Sequence, residues 1–227
     1  MSPDKRRGEA TREAILMAAE AVFAEHGFKG ARVDAIAEAS GYNKTLIFRY
    51  FGDKLGLYVA VLKRADSEAN ELLAHVFAPF LEDEAAPFQA QQLRTFLKMM
   101  IQTLFDYFLE HPRFVRMLTW EMAEGWRTYA QISSQFSTAD RDQFEALFHR
   151  ARSSGLLRSD FIPVLQLATV GQICLTYLAS LPLYQVLLPQ EDVSSVEGLA
   201  RARDYVVNFV VAGMMADPAE TKAGKGS

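Results

Sequence analysis

Three polar side chains follow a glycine near the start of the sequence, at a spacing that suits contact with the edges of DNA bases. Gly41 precedes Asn43, Lys44 and Thr45, and the small Ala37 lies one helical turn before the glycine. A lysine at the front of a helix can donate to guanine O6 and N7, and a threonine can offer a hydroxyl to a base or a methyl to thymine. The spacing therefore predicts a helix-turn-helix whose second helix enters the major groove.

The other reactive side chains do not have the spacing of a catalytic or metal centre. The four histidines, His26, His75, His111 and His149, are scattered, with no HxxxH pair and no His–carboxylate cluster. A Gly-rich phosphate loop and a nucleophile elbow are also missing from the sequence. The single cysteine, Cys174, lies among apolar residues and is expected to be buried and inert. We therefore expect no enzyme activity, no metal site and no cofactor.

Composition and charge indicate a globular protein that touches nucleic acid with only part of its surface. Half of the 227 residues are hydrophobic, which is enough to form a buried core, and 23% are charged, which is too few for a disordered chain. Residues 1–60 hold nine Lys and Arg against eight Asp and Glu, and the remainder holds fifteen against twenty. The sequence has no apolar run of the roughly 18–20 residues that cross a bilayer, and its charged start is unlike a signal peptide. We expect a cytoplasmic protein with no membrane contact.

Apolar periodicity predicts helices throughout the chain. In the first helix, Thr11 is the expected cap and Gly27 the expected end. Asn43 is expected to cap a helix from Lys44 to about Phe51, after a short helix that ends at Gly41, and Asp53 to cap a fourth helix that reaches about Phe80. Further helices are expected over residues 87–111, 112–124, 139–153, 163–181 and 194–215. The buried face of the first helix is expected to contain Ile15, Ala18, Ala19, Val22 and Phe23.

Four segments at fixed spacing carry a family resemblance: Thr11–Leu16, Phe23–Phe28, Ile36–Lys44 and Phe48–Lys54. Together they resemble the N-terminal domain of the tetracycline-repressor (TetR) family of transcriptional regulators, over about residues 9–57. The resemblance implies an all-α fold, with a three-helix, helix-turn-helix DNA-binding domain over residues 1–57. A helical-bundle domain for ligand binding and dimerisation is expected over residues 58–216, and a disordered tail over residues 217–227.

The resemblance also implies which residues bind DNA. The positions at which the family reads bases are occupied by Asn43, Lys44, Thr45 and Leu46. The positions that grip phosphates are occupied by Tyr50 and Lys54. Arg32 replaces the usual small hydroxyl residue at the start of the second helix and is counted as a phosphate contact. Phe48 replaces the usual tyrosine, so a hydroxyl is missing there and the ring is expected only to pack.

Several of these charges also have a plainer explanation. Lys44 and Lys54 can be ordinary solvated lysines, as most lysines are. Arg6 and Arg7 either belong to a solvated tail or form a basic arm that reaches the minor groove.

The region after residue 87 is rich in aromatic residues and methionines. The plain explanation is the core of a helical bundle. As a group, however, these residues also suit a pocket for a bulky apolar ligand, and TetR-like proteins place their inducer between such helices. The expected pocket residues are Phe96, Met100, Phe108, Trp120, Trp126, Tyr129 and Tyr177.

The last two predicted helices mix small and large apolar residues. In the family these helices form the four-helix bundle of a dimer; the alternative is the hydrophobic shell of a monomer. We expect a homodimer, because a single short reading helix gives too low a specificity ratio. The sequence thus predicts a homodimeric repressor that a small apolar ligand releases from a palindromic operator in double-stranded DNA. The alternative is an activator, or a regulator controlled by a partner protein.

Overall fold

The structure is a computed structural model that describes residues 3–81, 89–135, 139–158, 160 and 162–216. Within these residues the regular elements are helices, apart from an isolated antiparallel bridge between Leu157 and Met215. The all-α fold expected from the sequence is confirmed. The expected helix start at Pro87 and the expected disordered tail, residues 217–227, lie outside the described residues.

Eleven α-helices and one short 3-10 helix, Ser133–Gln135, occur in the described residues. In chain order the α-helices are α1 (Pro3–Gly30), α2 (Val33–Ser40), α3 (Lys44–Phe51), α4 (Lys54–Leu81), α5 (Ala90–Glu110), α6 (Pro112–Ala123), α7 (Arg127–Ile132), α8 (Ala139–Ser153), α9 (Pro163–Ala179), α10 (Leu181–Leu187) and α11 (Val196–Met214).

The chain divides into two compact units, and their limits differ from the expected boundary at residue 57. Unit 1 comprises residues 1–68 and 111–136, and unit 2 comprises residues 69–110 and 137–227. Helix α6 belongs to unit 1 because it packs along α1. The functional division between residues 57 and 58 stays a prediction.

The core of unit 1 is built from the faces that the apolar periodicity predicts. Ile15 and Phe23 of α1, Ile36 of α2 and Ile47 of α3 are fully buried. Tyr58 of α4 meets Phe23 edge to face, with 4.9 Å between the ring centroids. Each buried side chain of this size contributes about 1.5–3 kcal/mol. This packing anchors the short helices α2 and α3 to the longer α1 and α4.

Helix α1 begins earlier than the sequence suggests. It starts at Pro3, and the expected cap, Thr11, lies inside the helix, where its hydroxyl donates to the carbonyl of Arg7 at 2.9 Å. A threonine hydroxyl can bond the preceding turn as readily as it caps a helix, so the assignment of Thr11 as a cap is wrong. Arg6 and Arg7 are helical residues in this structure.

Gly27 breaks α1 close to the expected place. Its backbone has φ 66 and ψ 175, a conformation that essentially only glycine adopts. The chain then makes one more helical turn to Gly30, so the break is a kink followed by a last turn and not the final cap.

Helix α5 forms the centre of unit 2. Its buried residues recur at the i, i+3, i+4 and i+7 spacing, so they form one face of the helix, and the opposite face contains the exposed Arg94, Thr95 and Met99. It packs against α9 and α11, and α8 packs against α9. Arg203 of α11 donates through Nη1 to both carboxylate oxygens of Asp106 on α5, at 3.0 and 2.9 Å.

The helix expected over residues 163–181 is present as α9, although it ends two residues early, and a short helix, α10, follows it. Helix α9 ends at Ala179, and α10 follows at a bend of 56°. Pro182 lies in the first turn of α10, where its missing N–H and fixed φ are tolerated. No single described helix is both long and apolar enough to cross a membrane, although the bent α9–α10 pair meets the criteria of length and composition.

Candidate nucleic-acid interface

The connection between α2 and α3 has the geometry of a helix-turn-helix. Gly41 adopts the left-handed conformation, with φ 73 and ψ 12, and its N–H donates to the carbonyl of Glu38 at 3.3 Å. A residue with a Cβ is strained in this conformation, which explains the glycine. On either side of the turn, Ile36 and Ile47 are fully buried. The turn and these two anchors together fix the direction in which α3 points.

The N-terminal end of α3 presents polar side chains. Asn43 caps the helix, as predicted, because its Oδ1 accepts the N–H of Leu46 at 2.9 Å. The cap uses the amide oxygen and leaves both amide hydrogens for another acceptor. Lys44 and Thr45 are exposed, whereas Leu46 is half-buried. Asn43, Lys44 and Thr45 therefore remain the better placed of the four expected base contacts.

Arg32 lies immediately before α2 and is exposed. Its backbone is extended, with φ −111 and ψ 136, and its side chain makes no capping hydrogen bond. A serine or threonine at this position would cap the helix. The arginine leaves the first N–H groups of α2 without that side-chain acceptor and adds a positive charge beside them, an arrangement that suits an anion.

Two rings near the end of α3 are open to solvent. Tyr50 is 38% exposed and Phe48 is 41% exposed. The expectation that Phe48 only packs is wrong. The ring that packs against the core of unit 1 is Phe51, which shares the buried face of α3 with Ile47 at the i, i+4 spacing and turns Phe48 outward.

Lys54, the first residue of α4, is held against α1. Its Nζ donates to the carbonyl of Lys29 at 3.3 Å and lies 4.8 Å from the centroid of the Phe28 ring. Burial lowers the pKa of this ammonium group. Asp53 caps α4, as predicted, by accepting the N–H of Gly56 at 2.7 Å. Lys54 is thus a positioned lysine and not a freely solvated one, and its phosphate contact stays a prediction.

Sequence reasoning assigned no DNA role to two further charged residues on this unit. The guanidinium of Arg12 lies 5.4 Å from the centroid of the Phe51 ring, and Arg12 lines a groove of about 500 Å³ together with Tyr50. Asp34 of α2 places its Oδ1 2.6 Å from the Nζ of Lys44. Each contact joins two different helices, so periodicity along one helix carries no signal for it.

The expected ligand pocket draws on residues from different units. Unit 2 holds four of them: Phe96, Met100, Phe108 and Tyr177. Unit 1 holds the other three: Trp120, Trp126 and Tyr129. The proximity of these residues along the chain therefore does not place them in one compact unit.

In unit 2, Phe96 is a packed core residue. Its ring centroid lies 5.4 Å from that of Phe77, 4.9 Å from that of Phe80 and 5.8 Å from that of Phe148. Met100 and Phe108, also on α5, are buried. Tyr177 is half-buried on α9, with its ring 6.3 Å from Phe105 and 5.0 Å from Tyr184. Aromatic contacts of this kind are typical of a core.

In unit 1, the two tryptophans lie on either side of the turn between α6 and α7. Trp120 is 40% exposed, and its Nε1 donates to the carbonyl of Ala24 at 3.3 Å. Trp126 has a positive φ of 57, and its ring meets Tyr129 edge to face at 5.7 Å. Trp120 thus packs against α1, where the kink at Gly27 leaves room for its ring.

Two family models match the chain. A model described as bacterial regulatory proteins, tetR family, matches residues 15–61, and one described as tetracyclin repressor-like, C-terminal domain, matches residues 94–210. The second match alone spans more than half of the sequence. The chain belongs to the TetR family of transcriptional regulators. The exposed end of α3 is thus part of the DNA-binding domain of a regulator, in a family of transcriptional regulators and not of enzymes.

Relatives of this regulator include both a repressor and an activator. It is 27% identical to the HTH-type transcriptional repressor NicS of Pseudomonas putida over 176 residues, which are 76% of this chain and 77% of NicS. It is 31% identical to the HTH-type transcriptional activator FasR of Mycolicibacterium smegmatis over 160 residues. That match covers 67% of this chain and 62% of FasR, so less than two thirds of FasR is represented.

The fold of the regulator also resembles that of a solved structure. The crystal structure of the transcriptional regulator SCO4942 from Streptomyces coelicolor superimposes with a TM-score of 0.57 and 27% identity, covering 90% of this chain and 98% of that one.

Unit 1 of the regulator contains a cavity of about 230 Å³ between α1, α4 and α6. Arg64 forms ion pairs across it with Glu13 and Glu20, and the Nε2 of His111 lies 3.7 Å from the carboxylate of Glu68. None of the seven expected pocket residues lines this cavity. Five apolar side chains also line the cavity: Met17, Val61, Ala65, Phe114 and Met117. Within the described residues, no group of three or more His, Cys, Asp or Glu side chains is arranged to hold a metal ion.

Proposed function

We propose that this regulator is a homodimeric repressor that binds a palindromic operator through α3. The observation that carries the proposal is the exposed N-terminal end of α3, with the amide of Asn43, the ammonium of Lys44 and the hydroxyl of Thr45. The buried Ile47 holds the opposite face of the same helix. Donors at the front of such a helix reach base edges in the major groove. The similarity to NicS, a repressor, supports repression.

Exposed apolar side chains on the last helices support a dimer. Tyr205 and Phe209 of α11 are 63% and 61% exposed, and their rings stack with 6.2 Å between centroids. Leu165 of α9 is 58% exposed. Large apolar side chains exposed together indicate a surface that another molecule covers. A second copy of this chain is the proposed occupant, because a homodimer is typical of the family, and a two-fold dimer would bind a palindromic operator.

The proposed dimer predicts the distance between the two half-sites of its operator. Its two reading helices would contact half-sites whose centres lie about one helical turn apart, roughly 34–36 Å, or a multiple of that distance. Selection of bound fragments from random duplex DNA should therefore recover an inverted repeat.

Variants at the DNA surface test which residues read bases. Lys44→Ala and Thr45→Ala should each cost about 1–3 kcal/mol at particular base pairs. Lys54→Ala should instead weaken binding to all sequences and flatten its salt dependence. Thr95→Ala, at an exposed threonine of α5, is the matched control and should change neither property. A change of base preference in Lys54→Ala alone would overturn the assignment of the reading helix.

We also propose that a small, largely apolar ligand loosens DNA binding. Regulators of this family bind small-molecule ligands as well as DNA. In unit 2, the residues proposed to surround the ligand are three aromatic residues, Phe96, Phe108 and Tyr177, and the methionine Met100. Trp120, Trp126 and Tyr129 of unit 1 are the remaining candidates. Because Phe96 is tightly packed, a ligand beside it must displace rings that now touch one another.

Activation is the second candidate function, and the similarity to the activator FasR favours it. Transcription in vitro from a promoter next to the recovered operator distinguishes the two. A repressor lowers the amount of transcript when it is added, whereas an activator raises it.

A further inference from the structure

Asp34 is an acidic residue within reach of the surface that approaches DNA. It lies in the first turn of α2, its side chain is 73% exposed, and its Oδ1 is 2.6 Å from the Nζ of Lys44, the first residue of α3. A carboxylate close to phosphates weakens the electrostatic attraction on which DNA binding depends. An acidic side chain also stabilises a helix N-terminus, but that effect does not require contact with the reading lysine. The contact therefore places a carboxylate directly beside the lysine that is expected to read a base.

The Asp34–Lys44 pair presents an acceptor directly beside a set of donors. The ammonium carries three hydrogens and the carboxylate about four lone-pair sites, so each partner keeps hydrogen-bonding capacity after the two have paired. A lone lysine attracts any phosphate. The pair has no net charge, so it contributes little to binding that ignores sequence.

The major-groove edge of a G·C pair has the complementary pattern. Guanine offers two adjacent acceptors, N7 and O6, and cytosine offers its N4 amino group next to them. In an A·T pair the adenine N6 donor lies between two acceptors, adenine N7 and thymine O4. If the carboxylate accepted from adenine N6, it would lie between adenine N7 and thymine O4, and both of these acceptors repel it. The lysine could then reach only one acceptor, whereas guanine offers it two. The side-by-side arrangement of donor and acceptor thus fits G·C better than A·T.

We propose that Asp34 and Lys44 together read one G·C pair in each half-site of the operator. Lys44 donates to guanine O6 and N7, and Asp34 accepts from the N4 amino group of cytosine while holding the lysine in place. The inference rests on the proposed DNA-reading role of α3, and it adds Asp34 as a specificity-determining residue on α2.

The test compares Asp34→Asn with Glu38→Gln. Both changes remove one negative charge from an exposed position of α2, but only Asp34 pairs with Lys44. Each protein is used to select duplexes from a random library, and the recovered operator is then titrated with each base pair replaced. The wild type should require a G·C pair at one position of the half-site. Asp34→Asn should lose about tenfold of the preference for G·C over A·T there, while Glu38→Gln keeps it.

Lys44→Met supplies the second arm. If the two residues act as one, Asp34→Asn should cause little further loss of G·C preference in the Lys44→Met background. Replacing the guanine by 7-deazaguanine, which lacks the N7 acceptor, should weaken the wild type but not Lys44→Met.

The outcomes separate this inference from the function on which it rests. A wild type that selects no common sequence contradicts the proposed function itself. A wild type that selects an operator, but shows the same G·C preference as Asp34→Asn, leaves that function standing and overturns the inference. Equal effects of Asp34→Asn and Glu38→Gln also overturn it, because they would show that only the negative charge of Asp34 matters and not its contact with Lys44. Circular dichroism of each variant, together with its thermal midpoint, checks that the overall fold is unchanged.

Discussion

Glu121 of α6 is buried, with only 3% of its surface exposed, and it is held by donors from two other segments. Its Oε1 accepts the hydroxyl of Tyr58 at 2.8 Å, and its Oε2 accepts the N–H of Tyr129 at 2.9 Å. A buried polar group is costly unless such partners are present. Burial, followed by the hydrogen bond to Glu121, raises the pKa of Tyr58 well above its ordinary range.

Tyr58→Phe should lower the free energy of unfolding by about 1–3 kcal/mol, because it leaves one oxygen of a buried carboxylate without its donor. Tyr42→Phe is the matched control, since it removes a hydroxyl from a half-buried ring of the same unit, and it should change stability much less. Urea denaturation of the two variants and the wild type measures the difference. Equal stabilities of Tyr58→Phe and the wild type would show that water replaces the missing donor.

Cys174 of α9 gives a prediction for alkaline pH. It is fully buried, and burial raises the pKa of its thiol from 9.0 to about 12. Between these values the unfolded chain loses the thiol proton and the folded chain keeps it. The folded state then binds more protons, so stability falls as pH rises, by up to about 1.4 kcal/mol per pH unit for one group.

Cys174→Ala should therefore reduce the slope of stability against pH above about pH 9. The tyrosines also ionise in this range in the unfolded chain, but they are the same in both proteins and cancel in the difference between the two slopes. The loss of packing lowers stability at every pH, so the slope and not the absolute value is the readout. Parallel curves for the variant and the wild type would mean that the thiol ionises inside the folded protein.

Local signals predict a residue's place more reliably than its contacts. The Asn43 cap and the glycine at position 41 follow from short-range rules, and the structure confirms both. The bond between Tyr58 and Glu121 joins residues 63 positions apart, and no spacing along the chain points to it. The contact between Asp34 and Lys44 also depends on the angle between two helices. The DNA-binding roles of the seven expected residues stay predictions.

At the scale of the helices, glycines, prolines and capping residues predicted most of the helix boundaries. The boundaries that they did not predict have physical causes. The turn between α6 and α7 contains Trp126 with a positive φ, which sequence rules assign to glycine or asparagine and not to tryptophan. The backbone here is held because the N–H of Trp126 donates to the carbonyl of Glu121 at 2.7 Å. Helix α7 has only six residues and no side-chain cap, and its Ile132 is buried in the core of unit 1, so packing stabilises a helix that would be marginal alone.

The kink of α1 gives a prediction at this scale. Gly27→Ala should destabilise the protein more than Gly41→Ala, although both glycines have positive φ. At Gly41 an added Cβ meets nothing within 4 Å, so the cost is the left-handed backbone alone, about 1–2 kcal/mol. At Gly27 the backbone lies in a region that is nearly exclusive to glycine, and an added Cβ would lie 3.1 Å from the ring of Trp120.

Thermal unfolding of the two variants, side by side, measures this order. The reverse order would show that the kink relaxes to accommodate alanine and that α6 does not depend on it. Trp120→Leu combined with Gly27→Ala should recover the part of the loss that comes from crowding, because the smaller side chain leaves room for the added methyl group.

At the scale of the whole molecule, the proposed dimer can be broken without disturbing either core. Phe209→Asp places a charge at a position that is 61% exposed in one chain, and Gly171→Glu adds a side chain where a Cβ meets nothing within 4 Å. Both should yield folded monomers with poor operator affinity, because a charge buried in the contact has no partner. Leu72→Asp, at an exposed leucine of α4, should remain dimeric.

Sedimentation equilibrium at micromolar concentration distinguishes these states, and operator titration shows the consequence for binding. A wild type that sediments as a monomer and still binds its operator would contradict the dimer. A Leu72→Asp variant that also dissociates would place the contact elsewhere.

Ligand control is a property of the whole molecule, because an effector must distinguish the DNA-bound from the free protein. Helix α4 contributes residues to both units, since it extends from Lys54 to Leu81 and the units divide after Glu68. We expect a ligand in unit 2 to act through the arrangement of this helix. Only a difference in affinity for the two arrangements shifts the equilibrium, and a coupling of about 1–3 kcal/mol changes operator affinity roughly 5- to 150-fold.

Titration with apolar compounds, followed by the fluorescence of Trp120 and Trp126, tests this coupling when it is repeated with operator present. Reciprocity requires that an inducer bind the operator complex more weakly than the free regulator, by the same factor by which it weakens DNA binding. A polar analogue of similar size is the control and should bind neither form. A compound that binds both forms equally is not an inducer. If no apolar compound shows the difference, control by a partner protein becomes the better explanation, because the same DNA-binding unit would then respond to a surface contact.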